Sequence, residues 1–146
     1  MNVPKDYEDF FALLNKNKAL YVIVGAYALA YHGAPRFTGD LDIFIPRTEE
    51  NIQKVLKTLD DYGFRELKIG VQDLIKPDLI IQLGYEPLRI DLITSIDGVS
   101  FEEAWDNRIE DKFGNETVYY ISKEDLIKNK KATGRPKDLN DLELLA

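Results

Sequence analysis

Residues 21–45, with the sequence YVIVGAYALAYHGAPRFTGDLDIFI, constrain the fold more than any other part of the chain. The apolar run 20–24 predicts a strand buried on both faces, and this strand ends at Gly25. Small and apolar residues from 26 to 32 predict a short helix directly after that glycine. A loop at 33–39 leads to a second strand at 40–45, which Pro46 ends. The segment therefore predicts a strand, a turn, a helix, a loop and a strand in quick succession.

The second strand carries two aspartates on one face. Because side chains alternate along a strand, Asp40 and Asp42 point the same way, roughly 6.5 Å apart at Cα, while Leu41 points into the core. Two carboxylates about 5 Å apart repel by roughly 3 kcal/mol at an effective dielectric near 20. A divalent cation such as Mg²⁺ would offset this repulsion, since it binds carboxylate, water and phosphate oxygens together. The alternative is a pair of solvated acids at a strand end.

A third aspartate lies in the second strand of a predicted hairpin. Runs 79–83 and 88–93 are strand-like, and the four residues between them begin at Gly84 and end at Pro87. Asp91 shares a face with Arg89 and Ile93. If this strand lies beside 41–45, the three carboxylates can converge. Otherwise Asp91 forms an ion pair with Arg89 or with Arg36.

The other elements follow from periodicity and from capping residues. Apolar spacing predicts a helix at 4–15, a helix that Thr48 caps and that closes near Gly63, and a short helix at 101–106 with Trp105 in the core. Residues 64–78 predict only a short strand or turn. A last strand is expected at 116–121.

Two helices are predicted at the end of the chain. One begins at Ser122 and stops at Gly134, and a final helix buries Leu139, Leu142 and Leu145.

Composition limits the classes of function. The net charge of −7 argues against a general polyanion binder, which requires a basic face. The sequence has no cysteine and a single histidine, His32, so it cannot build thiolate or multi-histidine metal sites. With no apolar run of about eighteen residues and no signal-like start, we expect a cytoplasmic protein. Its 146 residues suit one domain.

The motifs resemble the nucleotidyltransferase superfamily with the DNA polymerase β-like fold. A Gly-Gly or Gly-Ser turn opening a helix, a D-x-D strand and a carboxylate on a neighbouring strand correspond to Gly25-Ala26, Asp40-Leu41-Asp42 and Asp91. The string GAYALAYHGxxRxTxDLDI resembles small bacterial members, including antibiotic nucleotidyltransferases and partners in abortive-infection and toxin–antitoxin systems. The tail ISKEDLIKNKKATGRPKDLNDL is similar to theirs as well.

The resemblance implies an α+β fold in which helices flank a mixed, twisted sheet that carries the three aspartates. It implies a single nucleotidyltransferase-like domain over 1–146, with its core at 18–95 and C-terminal helices at 122–146.

The resemblance also implies a set of site residues. Asp40, Asp42 and Asp91 would be catalytic and would hold two Mg²⁺ ions, or Mn²⁺, while Gly25 and Ala26 would face the nucleotide. Ala26 departs from the family pattern, because it supplies no hydroxyl to a phosphate.

Three basic residues have two interpretations each. Arg36 binds a phosphate or pairs with a site carboxylate. Lys130 contacts the triphosphate or belongs to a solvated helix face. Arg135 contacts the triphosphate too, or caps a helix.

The resemblance implies transfer of an NMP from an NTP, such as ATP, to a hydroxyl acceptor. The negative net charge of the chain favours a small molecule or a protein as the acceptor over a long nucleic acid. A homodimer or a partner protein can complete so small a site. The alternative is an inactive nucleotide- or partner-binding module, such as a toxin–antitoxin component, which the lack of a hydroxyl at Ala26 favours.

Overall fold

A computed structural model describes residues 4–34, 40–64, 68–85 and 88–145, which form a mixed α+β fold. Six strands among these residues form one mixed sheet in the order β3-β4-β2-β1-β6-β5. Their bounds are Val22–Val24 (β1), Asp40–Phe44 (β2), Ile80–Leu83 (β3), Arg89–Ile93 (β4), Ile109–Phe113 (β5) and Glu116–Tyr120 (β6).

Strand pairing brings the two predicted aspartate strands side by side. β2 and β4 run parallel, and β2 also pairs with β1 in the antiparallel direction. β3 and β4 form the antiparallel pair expected for a hairpin, and β6 lies parallel to β1. β2 and β4 are therefore adjacent interior strands of the sheet.

Helices flank this sheet. Their bounds are Lys5–Lys16 (α1), Gly25–Tyr31 (α2), Glu49–Tyr62 (α3), Val71–Leu74 (α4), Phe101–Asp106 (α5), Lys123–Thr133 (α6) and Pro136–Leu145 (α7). The apolar face of α1 is buried as its spacing predicts, and the helix contacts α3 and β6. No helix in the described part of the chain is long and apolar enough to cross a membrane.

Capping residues set the bounds of two helices as predicted. The Thr48 hydroxyl accepts a hydrogen bond from the Asn51 amide at the start of α3, and the Ser122 hydroxyl accepts one from the Asp125 amide at the start of α6. Gly134 ends α6 in the left-handed conformation, with φ +61°. The local signals at these termini therefore agree with the tertiary fold.

Two predictions about local structure are wrong. The segment 64–78, in its described part, contains the short helix α4, which a hydrogen bond from the Gly70 amide to Asp73 Oδ2 closes. The sequence prediction also omits β5, an edge strand whose first four residues are all exposed. Because neither face of those four residues is buried, no alternation of polar and apolar residues marks the strand.

The buried face of α7 also differs from its prediction. Leu145 is buried, but Leu139 is 54% exposed, and Asp138 and Asp141 point inward instead. Trp105, predicted in the core, is half-buried and packs against the core.

Candidate metal and nucleotide site

The pairing of β2 with β4 gathers the three aspartates. The register sets Asp42 directly opposite Asp91 and Asp40 opposite Arg89, so these side chains project from one face of adjacent strands. One carboxylate oxygen from each aspartate lies within 4.8 Å of the others. Asp91 is buried, whereas Asp40 and Asp42 are half-buried and border the solvent. The three carboxylates therefore converge, as the sequence predicts for the case in which the two strands are neighbours.

Gly25 holds the turn between β1 and α2 against this cluster. Its φ is +67°, a conformation that favours glycine, and a Cβ at this position would collide with Asp42 Oδ2 and lie 2.9 Å from Asp42 Cγ. The next residue, Ala26, is buried. The glycine therefore allows the backbone of the turn to approach the Asp42 carboxylate closely.

Gly25→Ala is expected to displace Asp42 and to weaken divalent-metal binding at least several-fold. Gly33→Ala is a matched control, since Gly33 also has a positive φ, +99°, but a Cβ there would meet nothing within 4 Å. Both variants bear the conformational cost of about 1 kcal/mol, and only Gly25→Ala adds the collision. Thermal unfolding and Mn²⁺ titration of the two variants measure these effects. Equal metal affinity in both variants would contradict the role assigned to Gly25.

The guanidinium of Arg89 joins two of the three carboxylates. Its Nε donates to Asp91 Oδ1 at 2.9 Å, and its Nη2 donates to Asp91 Oδ2 at 3.1 Å and to Asp40 Oδ2 at 2.8 Å. Sequence reasoning named this ion pair only as an alternative to a metal-binding role for Asp91. The structure contains both the ion pair and the three-carboxylate cluster. The R-x-D spacing on one strand face was the signal for this contact.

Burial and mutual repulsion favour the protonated forms of two aspartates. Burial, followed by the charges of Asp40 and Asp91, raises the pKa of Asp42 to about 7, although the charge of Arg89 opposes the shift. Burial also raises the pKa of Asp91, against the hydrogen bonds and charge of Arg89. A cation bound beside these carboxylates would favour their ionised forms and so oppose both shifts.

Two tyrosines that sequence reasoning missed lie next to the cluster. The Tyr7 hydroxyl of α1 donates to the Arg89 carbonyl at 3.0 Å, and the Tyr7 ring packs edge-on against Tyr27 of α2. Burial raises the pKa of Tyr27, and the charge of Asp40 adds to the shift. Both tyrosines fall on apolar helix faces, and nothing in their spacing distinguished them from core residues.

Lys130 and Arg135 lie in a separate ionic cluster between α6 and α7. Lys130 Nζ is 3.3 Å from Asp138 Oδ1 and 3.0 Å from Asp141 Oδ2, and all three side chains are buried. Arg135 Nε donates to Asp138 Oδ2 at 2.7 Å. The interpretation of Lys130 as part of a solvated helix face is therefore wrong. A triphosphate could contact the Lys130 ammonium only in competition with the two buried carboxylates.

The remaining predicted residues are placed as follows. Arg36 lies outside the described residues. His32, which was left out of the predicted site, is half-buried, with its Nε2 2.7 Å from the Ile121 carbonyl oxygen.

The oxygen-only donor set determines the chemistry of the cluster. Three carboxylates at this spacing suit a hard divalent cation such as Mg²⁺ or Mn²⁺, which also binds phosphate oxygens. Residues 2–145 match the model of a family described as "Nucleotidyltransferase of unknown function (DUF6036)". The chain belongs to this nucleotidyltransferase family. No curated protein matches the chain.

Proposed function

We propose that the protein is a metal-dependent nucleotidyltransferase that moves an NMP from an NTP to a hydroxyl acceptor and releases pyrophosphate. The observation that carries the proposal is the cluster of Asp40, Asp42 and Asp91, whose carboxylate oxygens approach within 4.8 Å on adjacent strands. The family match supports the reaction class. The metal, the NTP and the acceptor are our proposals.

Each aspartate has a proposed role. Asp40 and Asp42 hold a divalent ion, and Asp91 shares a second ion with them. Mg²⁺ held by these residues would supply charge stabilisation for the attacking and leaving oxygens of an in-line displacement. The acceptor oxygen bonds to the α-phosphorus, the bond from that phosphorus to pyrophosphate breaks, and Asp91 helps to remove the hydroxyl proton.

We also propose that residues 1–146 form one domain of the polymerase β-like fold. One continuous sheet supports this organisation, because β6 and β5 join β1 in the sheet that carries the aspartates. The proposed core at 18–95 thus shares its sheet with later strands, and the C-terminal helices at 122–146 correspond to α6 and α7.

Thermal unfolding with each of the four NTPs, with and without Mg²⁺, tests the proposal. We expect one or more NTPs to stabilise the protein only with Mg²⁺. At a hundred times the dissociation constant the gain is about 2.7 kcal/mol, or several degrees in Tm. The variant Asp40→Asn/Asp42→Asn should lose this shift while still unfolding cooperatively. Release of pyrophosphate in the presence of hydroxyl compounds and proteins then identifies the acceptor.

The matched control is Asp106→Asn, which removes one exposed carboxylate from α5. This variant should keep the whole nucleotide shift. Absence of a shift with every nucleotide would contradict the enzyme and favour the inactive partner-binding module, for which Ala26 supplies the sequence argument.

A further inference from the structure

Arg89 is a positively charged residue inside a cluster that is proposed to bind a positive ion. Its guanidinium forms a bidentate ion pair with Asp91 through Nε and Nη2, and Nη2 also donates to Asp40. The side chain is only 24% exposed, and that of Asp91 only 7%. A bidentate pair of this kind is among the stronger and more specific carboxylate interactions.

The contacts of Arg89 use the oxygens that a metal would need. A carboxylate oxygen has two lone pairs, and each N–H bond occupies one of them. Both oxygens of Asp91 and one oxygen of Asp40 accept from Arg89. A metal ion bound by Asp91 therefore shares an oxygen with the guanidinium or takes its place.

We propose that Arg89 is an internal cation that balances the aspartate cluster without metal and competes with a divalent ion for Asp40 and Asp91. This inference rests on the metal site of the proposed function and assigns to Arg89 a tuning role in it. The competition lowers the affinity for the ion and leaves the metal-free chain with a partly neutralised cluster. Arg89 acts through the carboxylates and is not itself assigned to the reacting atoms.

Electrostatics sets the size of the expected effect. A guanidinium and a divalent ion about 5 Å apart repel by an amount equivalent to more than a tenfold change in the binding constant, even at the dielectric of water. Removing the charge should therefore strengthen metal binding. If Arg89 only positioned the carboxylates, its removal would have the opposite effect on metal affinity. Loss of the Arg89 hydrogen bonds would then misalign Asp40 and Asp91 and weaken metal binding.

Direct titration with Mn²⁺, in which electron paramagnetic resonance counts the free ion, tests the competition without turnover. In the intact chain we expect Arg89→Met to bind Mn²⁺ at least tenfold more tightly than the wild type. Arg89→Lys keeps the charge but loses the planar fork, so its affinity should lie between the two. In the presence of a chelator, Arg89→Met should unfold at a lower temperature than the wild type. Addition of Mn²⁺ should then raise the Tm of Arg89→Met more than that of the wild type.

Arg108→Met is the matched control. The Arg108 guanidinium lies 3.8 Å from the centroid of the Trp105 ring, so its removal deletes a partly buried arginine that packs against an aromatic side chain. This control should leave Mn²⁺ affinity unchanged. If Arg89→Met is unstable without metal, Arg89→Lys decides the question alone. Affinity above that of the wild type supports competition, whereas affinity equal to or below that of the wild type overturns it.

Two further outcomes separate this inference from the proposed function. Mn²⁺ binding by the wild type, with equal or weaker binding by Arg89→Met, overturns the competition and leaves the metal site intact. Absence of Mn²⁺ binding in every variant overturns the metal site itself, and the role of Arg89 with it.

Discussion

Lys130→Met is expected to lower the free energy of unfolding by about 3–5 kcal/mol, the usual effect of removing one partner from a buried ion pair. The Lys130 ammonium lies between two carboxylates that are themselves buried, with exposed side-chain fractions of 0% for Asp138 and 2% for Asp141. Its loss leaves two buried negative charges with less compensation and loosens the contact between α6 and α7. In thermal unfolding the Tm should fall by roughly 10 °C.

Arg135 is expected to offset only part of the charge that Lys130 balances. Burial alone would raise the pKa of Asp138, but hydrogen bonds from Arg135, Thr133 and Lys130 outweigh it and hold that pKa well below its usual range. The Arg135 side chain is 60% exposed, and it forms an ion pair with Asp138. The double variant Lys130→Met/Asp141→Asn should recover part of the lost stability, because it removes one of the two buried negative charges that Lys130 balances.

Lys131→Met is the control for side-chain length and charge, since Lys131 is exposed on the same helix. A change within about 0.5 kcal/mol is expected there. If Lys130→Met instead unfolds like the wild type but loses the NTP-dependent shift in Tm, the buried ion pair is not what Lys130 provides. The sequence-based assignment of Lys130 to the triphosphate would then stand.

Local chemistry was sufficient to predict much of the fold. Alternation placed the aspartates on one face of β2 and β4, and Thr48 and Ser122 marked the starts of α3 and α6. The failures to predict β5 and α4 have one origin. An exposed strand and a four-residue helix contain too few buried residues to produce a periodic pattern of apolar residues.

The prediction of the buried face of α7 failed for a different reason. Ionic contacts of Asp138 and Asp141 with Lys130 rotate that helix away from its leucine pattern, and such contacts depend on a second helix.

The candidate site was predictable only in part. Three carboxylates on neighbouring strands follow from spacing once the strands are assumed to be adjacent. Whether Arg89 reaches Asp40 as well as Asp91 depends on the register between β2 and β4, which local sequence does not specify. The same holds for Tyr7, which reaches the cluster through the packing of α1 on the sheet. Tertiary contacts therefore decide the charge balance of the site.

The second large effect is a loss of stability of the metal-free protein as the pH rises from about 5 to about 8. Folding raises the pKa of Asp42 from 3.8 to about 7, chiefly through burial and then through the charges of Asp40 and Asp91. The folded state thus holds a proton that the unfolded state releases, so the contribution is fully present below pH 4 and is lost as the pH passes 7. The whole shift corresponds to at most about 4 kcal/mol, of which at most about 3 kcal/mol is lost between pH 5 and pH 8. Asp91, whose pKa is also raised, acts in the same direction.

Urea unfolding in chelator at pH 5, 6, 7 and 8 measures this loss. Asp42→Asn cannot lose a proton, so its stability should change less over this interval, whereas Asp106→Asn should follow the wild type. Mg²⁺ should stabilise the wild type more at pH 8 than at pH 6, because the ion and the proton compete for the same carboxylate. A wild-type stability that rises over this interval in chelator would contradict the raised pKa. A negligible effect of Mg²⁺ at pH 8 would instead contradict the metal site, since an unprotonated cluster of three carboxylates should then bind the ion most tightly.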